Sequence, residues 1–264
     1  LKSLHIIFSS LLLFGCTQSS YQLASRDLVS DNRNAALGYP TSDFPEILIS
    51  RDEYLISWNK NSRVLNWSVW RLSIEDLGQV KRSNDFMQDP ALQKTVSNAV
   101  LPSEYKGSCF DRGHQTPSGD RTSTKEHNNN TFYMSNMLPQ TAHLNRGVWK
   151  HLEEHERELA KKDVIFIYAG PIFDENPQGI GPASNILVPL KNFKIITDDK
   201  GKVLVAVILP NVTSTGTNPL KDRDQLCFDS KHAWTPQAEQ DWSEFNVSVE
   251  EIEKQAKLNF NFLK

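Results

Sequence analysis

Cys109-Phe-Asp-Arg-Gly-His-Gln-Thr-Pro-Ser-Gly-Asp120 places a carboxylate, a fixed cation, a glycine and a titratable base in succession at positions 111 to 114. Arg112 is always charged and presents a planar fork of donors that matches a phosphate group. His114 belongs to the one side-chain type whose ordinary pKa, about 6.5, lets it accept a proton at neutral pH. Gly113 leaves the space between them free of a side chain. The set suits a site that holds a phosphodiester and deprotonates a water beside it. It also suits a surface turn, since Gly113 permits a positive φ and Pro117 and Gly119 follow.

The next informative stretch is Ser135-Asn-Met-Leu-Pro-Gln140, followed by Leu144-Asn-Arg-Gly-Val-Trp-Lys-His-Leu-Glu-Glu-His-Glu-Arg157. Residues 147–162 predict a helix, with Val148, Leu152 and Leu159 on one stripe and charges elsewhere. Residues four apart lie about 40° apart around such a helix, so Asn145, Trp149, Glu153 and Arg157 spiral across a single face. Eight residues rise about 12 Å, too far for Asn145 and Glu153 to ligate one ion from regular helix. The geometry works if Asn145 stands at an unwound entrance and Glu153 acts through water. An Asn oxygen is a hard neutral ligand suited to Mg²⁺, with Glu153 an acceptor for the ion's water. Asn145 also reads as a helix N-cap, and Glu153 as one solvated charge beside Glu154, Glu156 and Glu158. His151 and His155, four apart, could hold zinc, although the metalloprotease order His-Glu-x-x-His is not met.

Around these motifs the composition is that of a globular protein. Of 264 residues, 38% are hydrophobic and 23% charged, and six tryptophans argue against disorder. A formal net charge of −3 weighs against tight, sequence-blind coating of nucleic acid, which uses a basic stripe. The neighbourhood of the 147–162 helix is not net basic either. Glu53–Trp58 and Val64–Leu72 predict a hairpin across Asn59-Lys-Asn61, with Trp67, Val69 and Arg71 on one face of the second strand and Ser68, Trp70 and Leu72 on the other. Residues 77–119 read as irregular surface with one short helix around Pro90 to Ala99. Four later apolar runs, 164–168, 186–190, 193–196 and 203–209, predict the second half of a sheet. A capping box at Ser248–Glu251 opens a helix through Ile252, Ala256 and Leu258. The fold class is α+β, a mixed, largely antiparallel central sheet flanked by helices.

Residues 4–15 form a short apolar core behind Lys2 and end at Gly15-Cys16, too short for an ordinary membrane span. Leu13-Phe14-Gly15-Cys16 resembles the bacterial lipoprotein box, in which the Cys carries the lipid; plain secretion with cleavage elsewhere is the other reading. The division is a signal peptide over 1–16, a polar tether over 17–45 and a domain over 46–264. Cys109 and Cys227 remain, and in an exported protein an even pair reads as a disulfide. Cys109 as a nucleophile with His114 as its base is the alternative.

Asp111-Arg-Gly-His114, Asn136 with Pro139-Gln140, and Asn145-x3-Trp149-x2-Leu152-Glu153-x3-Arg157 together resemble the DNA/RNA non-specific endonuclease family, the sugar-non-specific ββα-metal nucleases. Tyr168-Ala-Gly-Pro171, Val188-Pro189, Phe193-Lys194, Pro210-Asn211 and Val249-x-Glu-Ile-Glu253 extend the likeness from about residue 50 to the end. The resemblance implies a ββα-metal motif, His114 as general base, and Asn145 as the ligand of one hydrated Mg²⁺, for which Mn²⁺ substitutes. Glu153 would orient a water of that ion. Arg157, Arg112 and Arg82 would contact phosphate, and Asn136 would brace the site. Residues 83–88 depart from the family pattern, which leaves the transfer to Arg82 the least supported. The expected partners are DNA and RNA as substrates, the membrane through a lipid on Cys16, and a second copy of the chain. The expected location is the bacterial periplasm or cell surface. The rivals are an exported zinc hydrolase using His151 and His155, and a surface lipoprotein that keeps the fold as a binding module.

Overall fold

The alternation within Val64–Leu72 sets the frame. Trp70 and Leu72 enter one apolar layer and Trp67 and Val69 the other, all four fully buried. A strand covered on both faces belongs in the middle of a sheet, and here it is the middle of seven.

A computed structural model describes residues 22–23, 29, 31–232 and 241–263. The strands are β1 (Gln22–Leu23), β2 (Ile47–Ser50), β3 (Leu55–Asn59), β4 (Val64–Leu72), β5 (Asp111–His114), β6 (Met137–Gln140), β7 (Ile165–Ile172), β8 (Gly179–Ile180), β9 (Ile186–Leu187), β10 (Lys191–Asp198) and β11 (Val203–Pro210). The α-helices are α1 (Pro90–Gln93), α2 (Lys125–Asn130), α3 (Ala142–Arg146), α4 (Val148–Ala160), α5 (Arg223–Lys231) and α6 (Val249–Ala256). The sheet runs β1-β2-β3-β4-β7-β10-β11, and every pairing within it is antiparallel. Against one face pack Trp149 and Leu152 of α4 and Met137 and Leu138 of β6. Against the other pack Ile252 and Ala256 of α6, with Leu258 and Phe260. The result is α+β, with the ribbon β5–β6 and α4 confined to one side.

Several sequence expectations are revised. Of the run 186–190, only Ile186–Leu187 is strand, and it pairs with β8 outside the main sheet. Pro189 has no N–H for a ladder, and its carbonyl instead accepts from Asn211 Nδ2 at 2.9 Å. The helix expected to Ala99 stops at Gln93 after a start capped by Asp89. The stretch read as a tether over 17–45 packs on the domain where it is described. Asn34 is wholly buried, donating to the carbonyls of Arg51 and Asp52, and Thr41 bridges to Asn259. The signal peptide and Cys16 lie outside the described residues.

Cys109 and Cys227 are bonded, 118 residues apart in sequence. Closing a ring of that size restricts the unfolded chain by roughly 4–5 kcal/mol in the chain-entropy account. The bond fixes the chain just ahead of β5 to α5, which itself lies against α3. Among the described residues no helix is long and apolar enough to cross a membrane.

Candidate active site

β5 and β6 pair with Asp111 opposite Gln140, Arg112 opposite Pro139, Gly113 opposite Leu138 and His114 opposite Met137. The 111–114 run is thus strand rather than turn. Gly113 serves close packing, since a Cβ there would lie 2.0 Å from Gln140 Oε1. α3 and α4 follow β6 directly, so two strands and a helix form one unit on the sheet.

His114 ends β5 with 5% of its surface exposed. Its ring meets Phe132 edge-on at 4.8 Å between centroids and Phe86 at 5.7 Å. Its Nε2 is buried with no hydrogen-bond partner. Burial, and then the charges of Arg82 and Arg112, push its pKa well below the ordinary imidazole value. The imidazole is therefore neutral at pH 7, the form that can take up a proton. Asn136, fully buried, holds the chain that leaves His114. Its Oδ1 accepts from Thr116 N, and its Nδ2 donates to the carbonyls of Thr116 and Thr131, each at 2.9 Å.

Asn145 caps neither helix. Thr141 caps α3, its side chain accepting from Leu144 N, and the chain breaks at Gly147 before α4 begins. Asn145 thus stands on a separate single-turn helix, with the break at Gly147 between it and Glu153. Its Nδ2 donates to Asp111 Oδ2 at 2.9 Å, which commits the nitrogen and leaves the amide oxygen as acceptor. Asp111 is itself held by Arg146 in two-point fashion, Nε to Oδ2 at 2.9 Å and Nη2 to Oδ1 at 2.7 Å. Its carboxylate is spent on orienting α3.

Glu153, on α4, is half-buried, and desolvation pushes its pKa up to about 7 against the pull of Lys194, Arg157 and Arg82. Arg157 donates from Nη1 to Oδ1 of the buried Asp120 at 3.1 Å, and Asp120 Oδ2 accepts from Trp70 Nε1 at 3.0 Å. Arg82 donates from Nη1 to Ser118 Oγ at 2.6 Å and from Nε to Asn84 Oδ1 at 2.8 Å. Its guanidinium carbon lies 4.9 Å from the centroid of the Phe132 ring.

These residues share one open cleft of about 410 Å³, lined by Arg82, Arg112, His114, Asn145, Arg146, Lys150, Glu153 and Arg157 with the 117–119 turn. Five cations line it with Glu153; Arg146, Lys150 and Arg157 are each paired to a carboxylate, which leaves Arg82 and Arg112 as its uncompensated positive charge. The other glutamates turn away. Glu154 pairs with Lys150, Glu158 with Lys161, and Glu156 lies buried against Lys194 Nζ at 2.7 Å. Asn136 braces the cleft from beneath rather than lining it.

Asp120, Arg146, Phe86, Phe132 and Lys194 were not assigned roles from sequence. Asp120 closes the opening run and Arg146 adjoins Asn145, so both stood within reach of motif reasoning. The two phenylalanines come from loops without periodicity. His151 and His155 do not join the cleft, and His155 packs against Trp242 at 4.7 Å between ring centroids.

The profile of the DNA/RNA non-specific endonuclease family matches residues 30–263. A nuclease of Nostoc sp. is 32% identical over 260 residues, covering 94% of this chain and 88% of its own. A nuclease of Serratia marcescens is 27% identical over 243 residues, covering 89% and 82%. A chain from a crystal structure of an EndoG/EndoGI complex superposes with a TM-score of 0.68 at 25% identity, over 88% of this chain and 91% of that one. The chain belongs to the DNA/RNA non-specific endonuclease family, metal-dependent enzymes that hydrolyse nucleic acids.

Proposed function

We propose that the chain is a Mg²⁺-dependent endonuclease, with Mn²⁺ able to substitute, that cuts DNA and RNA without strict sequence choice and leaves 5′-phosphates. The observation that carries this reading is the convergence of His114, Asn145, Glu153 and a surplus of cations on one cleft. His114, neutral at pH 7, takes a proton from the attacking water. Arg112, Arg157 and Arg82 bind the scissile phosphate and its neighbours, and Asn136 keeps the imidazole in place.

The donor set fits a hydrated hard cation. Asn145 offers one amide oxygen whose partner nitrogen is already committed to Asp111. Glu153 is a half-buried carboxyl on the wall of the same cleft. Among the described residues no cluster of three or more His, Cys, Asp and Glu could hold a metal. Mg²⁺ suits such a site, since it keeps several waters and takes few protein ligands. When bound it supplies charge to stabilise the leaving 3′ oxygen. The zinc reading of His151 and His155 finds no third ligand among the described residues.

The chain from residue 17 onward is expected to degrade both plasmid DNA and RNA in Mg²⁺ and to stop on addition of EDTA, with end-labelling showing 5′-phosphates. Undiminished cutting in EDTA, or no cutting in any of Mg²⁺, Mn²⁺ and Zn²⁺, overturns the proposal.

The protein is exported to the periplasm or cell surface and anchored by a lipid on Cys16. Support comes from the apolar run before Gly15-Cys16 and from the Cys109–Cys227 bond, which suits an oxidising compartment. The full chain expressed in bacteria is expected to enter the detergent phase on cloud-point partition, and Cys16→Ser to return it to the aqueous phase. Equal partition of both forms rules the anchor out.

A further inference from the structure

The arginines of the cleft are not held alike. Arg157 is tied to Asp120, Arg82 to Ser118 and Asn84, and Arg146 to Asp111. Among the described residues the Arg112 side chain makes no hydrogen bond or ion pair to a protein group. Its guanidinium carbon instead stands 3.8 Å from the centroid of the Phe86 ring. Its sequence neighbour Asp111, the nearest carboxylate along the chain, is occupied by Arg146 and Asn145.

Phe86 is itself fixed. The residue after it bridges to Tyr133, with Met87 N donating to Phe132 O at 3.1 Å and Met134 N to Met87 O at 2.9 Å. Its ring then meets Phe132 in a T-shaped contact at 5.1 Å and leans on His114. The half-buried ring thus has two ring neighbours and a cation on its face.

The way Arg112 is held has a chemical consequence. A carboxylate would fix Arg112 but would also neutralise it and occupy its in-plane donors. An aromatic face attracts the cation through its quadrupole and leaves the N–H fork free for an anion. We propose that Phe86 is a positioning residue that holds Arg112 with its donor fork open to a substrate phosphate, and so sets the affinity of this chain for nucleic acid. The inference rests on the phosphodiester reading of the cleft.

The test compares Phe86→Leu, Phe86→Tyr, Arg112→Ala and the Phe86→Leu/Arg112→Ala double variant. Each is measured twice. Anisotropy follows a fluorescein-labelled single-stranded oligonucleotide binding to the metal-free chain in EDTA, and hydrolysis in Mg²⁺ supplies KM and kcat. Phe86→Leu is expected to weaken oligonucleotide binding about two- to thirtyfold, the span of a cation–π contact. KM should rise by a similar factor, with the loss falling on KM rather than kcat. Phe86→Tyr restores both, and the leucine change adds nothing once Arg112 is alanine.

The same loss in the Arg112→Ala background, a loss confined to kcat, or a tyrosine variant as weak as leucine overturns the proposal. Phe86→Met, a flexible side chain of similar reach, takes over the test if the leucine variant does not fold. A wild-type chain that binds the oligonucleotide but cleaves nothing refutes the nuclease reading and leaves the binding arm to judge Phe86.

Discussion

His114→Ala is expected to reduce kcat by about 10²- to 10⁴-fold, the contribution of a positioned general base. The variant keeps its phosphate arginines, so KM moves far less. Full turnover in the alanine variant sinks the base assignment. The burial that keeps this imidazole neutral also has a stability signature. Its folded pKa lies well below the ordinary value through desolvation and the charges of Arg82 and Arg112, with no facing carboxylate among the causes. Below about pH 6.5 the unfolded chain takes up a proton that the folded chain refuses, so stability is lost as pH falls toward the depressed value. The alanine variant lacks this term. Thermal melts between pH 7 and pH 5 are expected to fall more steeply for the wild type than for His114→Ala.

Lys194→Met is expected to cost up to about 3–5 kcal/mol, because Glu156 must then stay buried without its cation or take up a proton. For a domain of this size that lowers Tm by roughly 6–20 °C. Both side chains are wholly buried, and Lys194 Nζ also lies 4.5 Å from the centroid of the Trp149 ring and 5.4 Å from that of Trp70. Burial already pushes the Glu156 pKa well above the carboxylate range, and Lys194 is the main pull against it. Replacing both partners by methionine should recover most of the loss, since a buried pair is costly mainly when broken. Lys194 also leads the groups that lower Glu153, whose pKa stands at about 7. A melt within a degree or two of wild type contradicts this account.

What the sequence disclosed follows the physics of each element. β4 was legible to the residue because alternating tryptophans mark a strand covered on both faces, and α4 because its stripe repeats at helical period. β2 is four residues long, too short to show a period. The run 186–190 looked like β10 and β11 in composition, yet Pro189 cannot extend a ladder. At the site, His114, Asn145, Glu153 and Arg157 could be read because their spacing is local to one strand or one helical stretch. The charge balance of the cleft could not, since it depends on which cations are paired: Arg146 to Asp111, Lys150 to Glu154 and Arg157 to Asp120, with Arg82 and Arg112 left without a carboxylate. Phe86 was hidden for the same reason. Its partner Arg112 lies on another element, and only the fold brings ring and cation together.

The Cys109–Cys227 bond closes a covalent circle, and His114, Asn136, Asn145, Glu153 and Arg157 all lie on it. A single peptide cut anywhere on that circle opens it without releasing a fragment. The two ends remain tethered at the root of β5, and the residues that line the cleft stay on one molecule. A nick that would separate the parts of a linear chain therefore leaves them covalently joined.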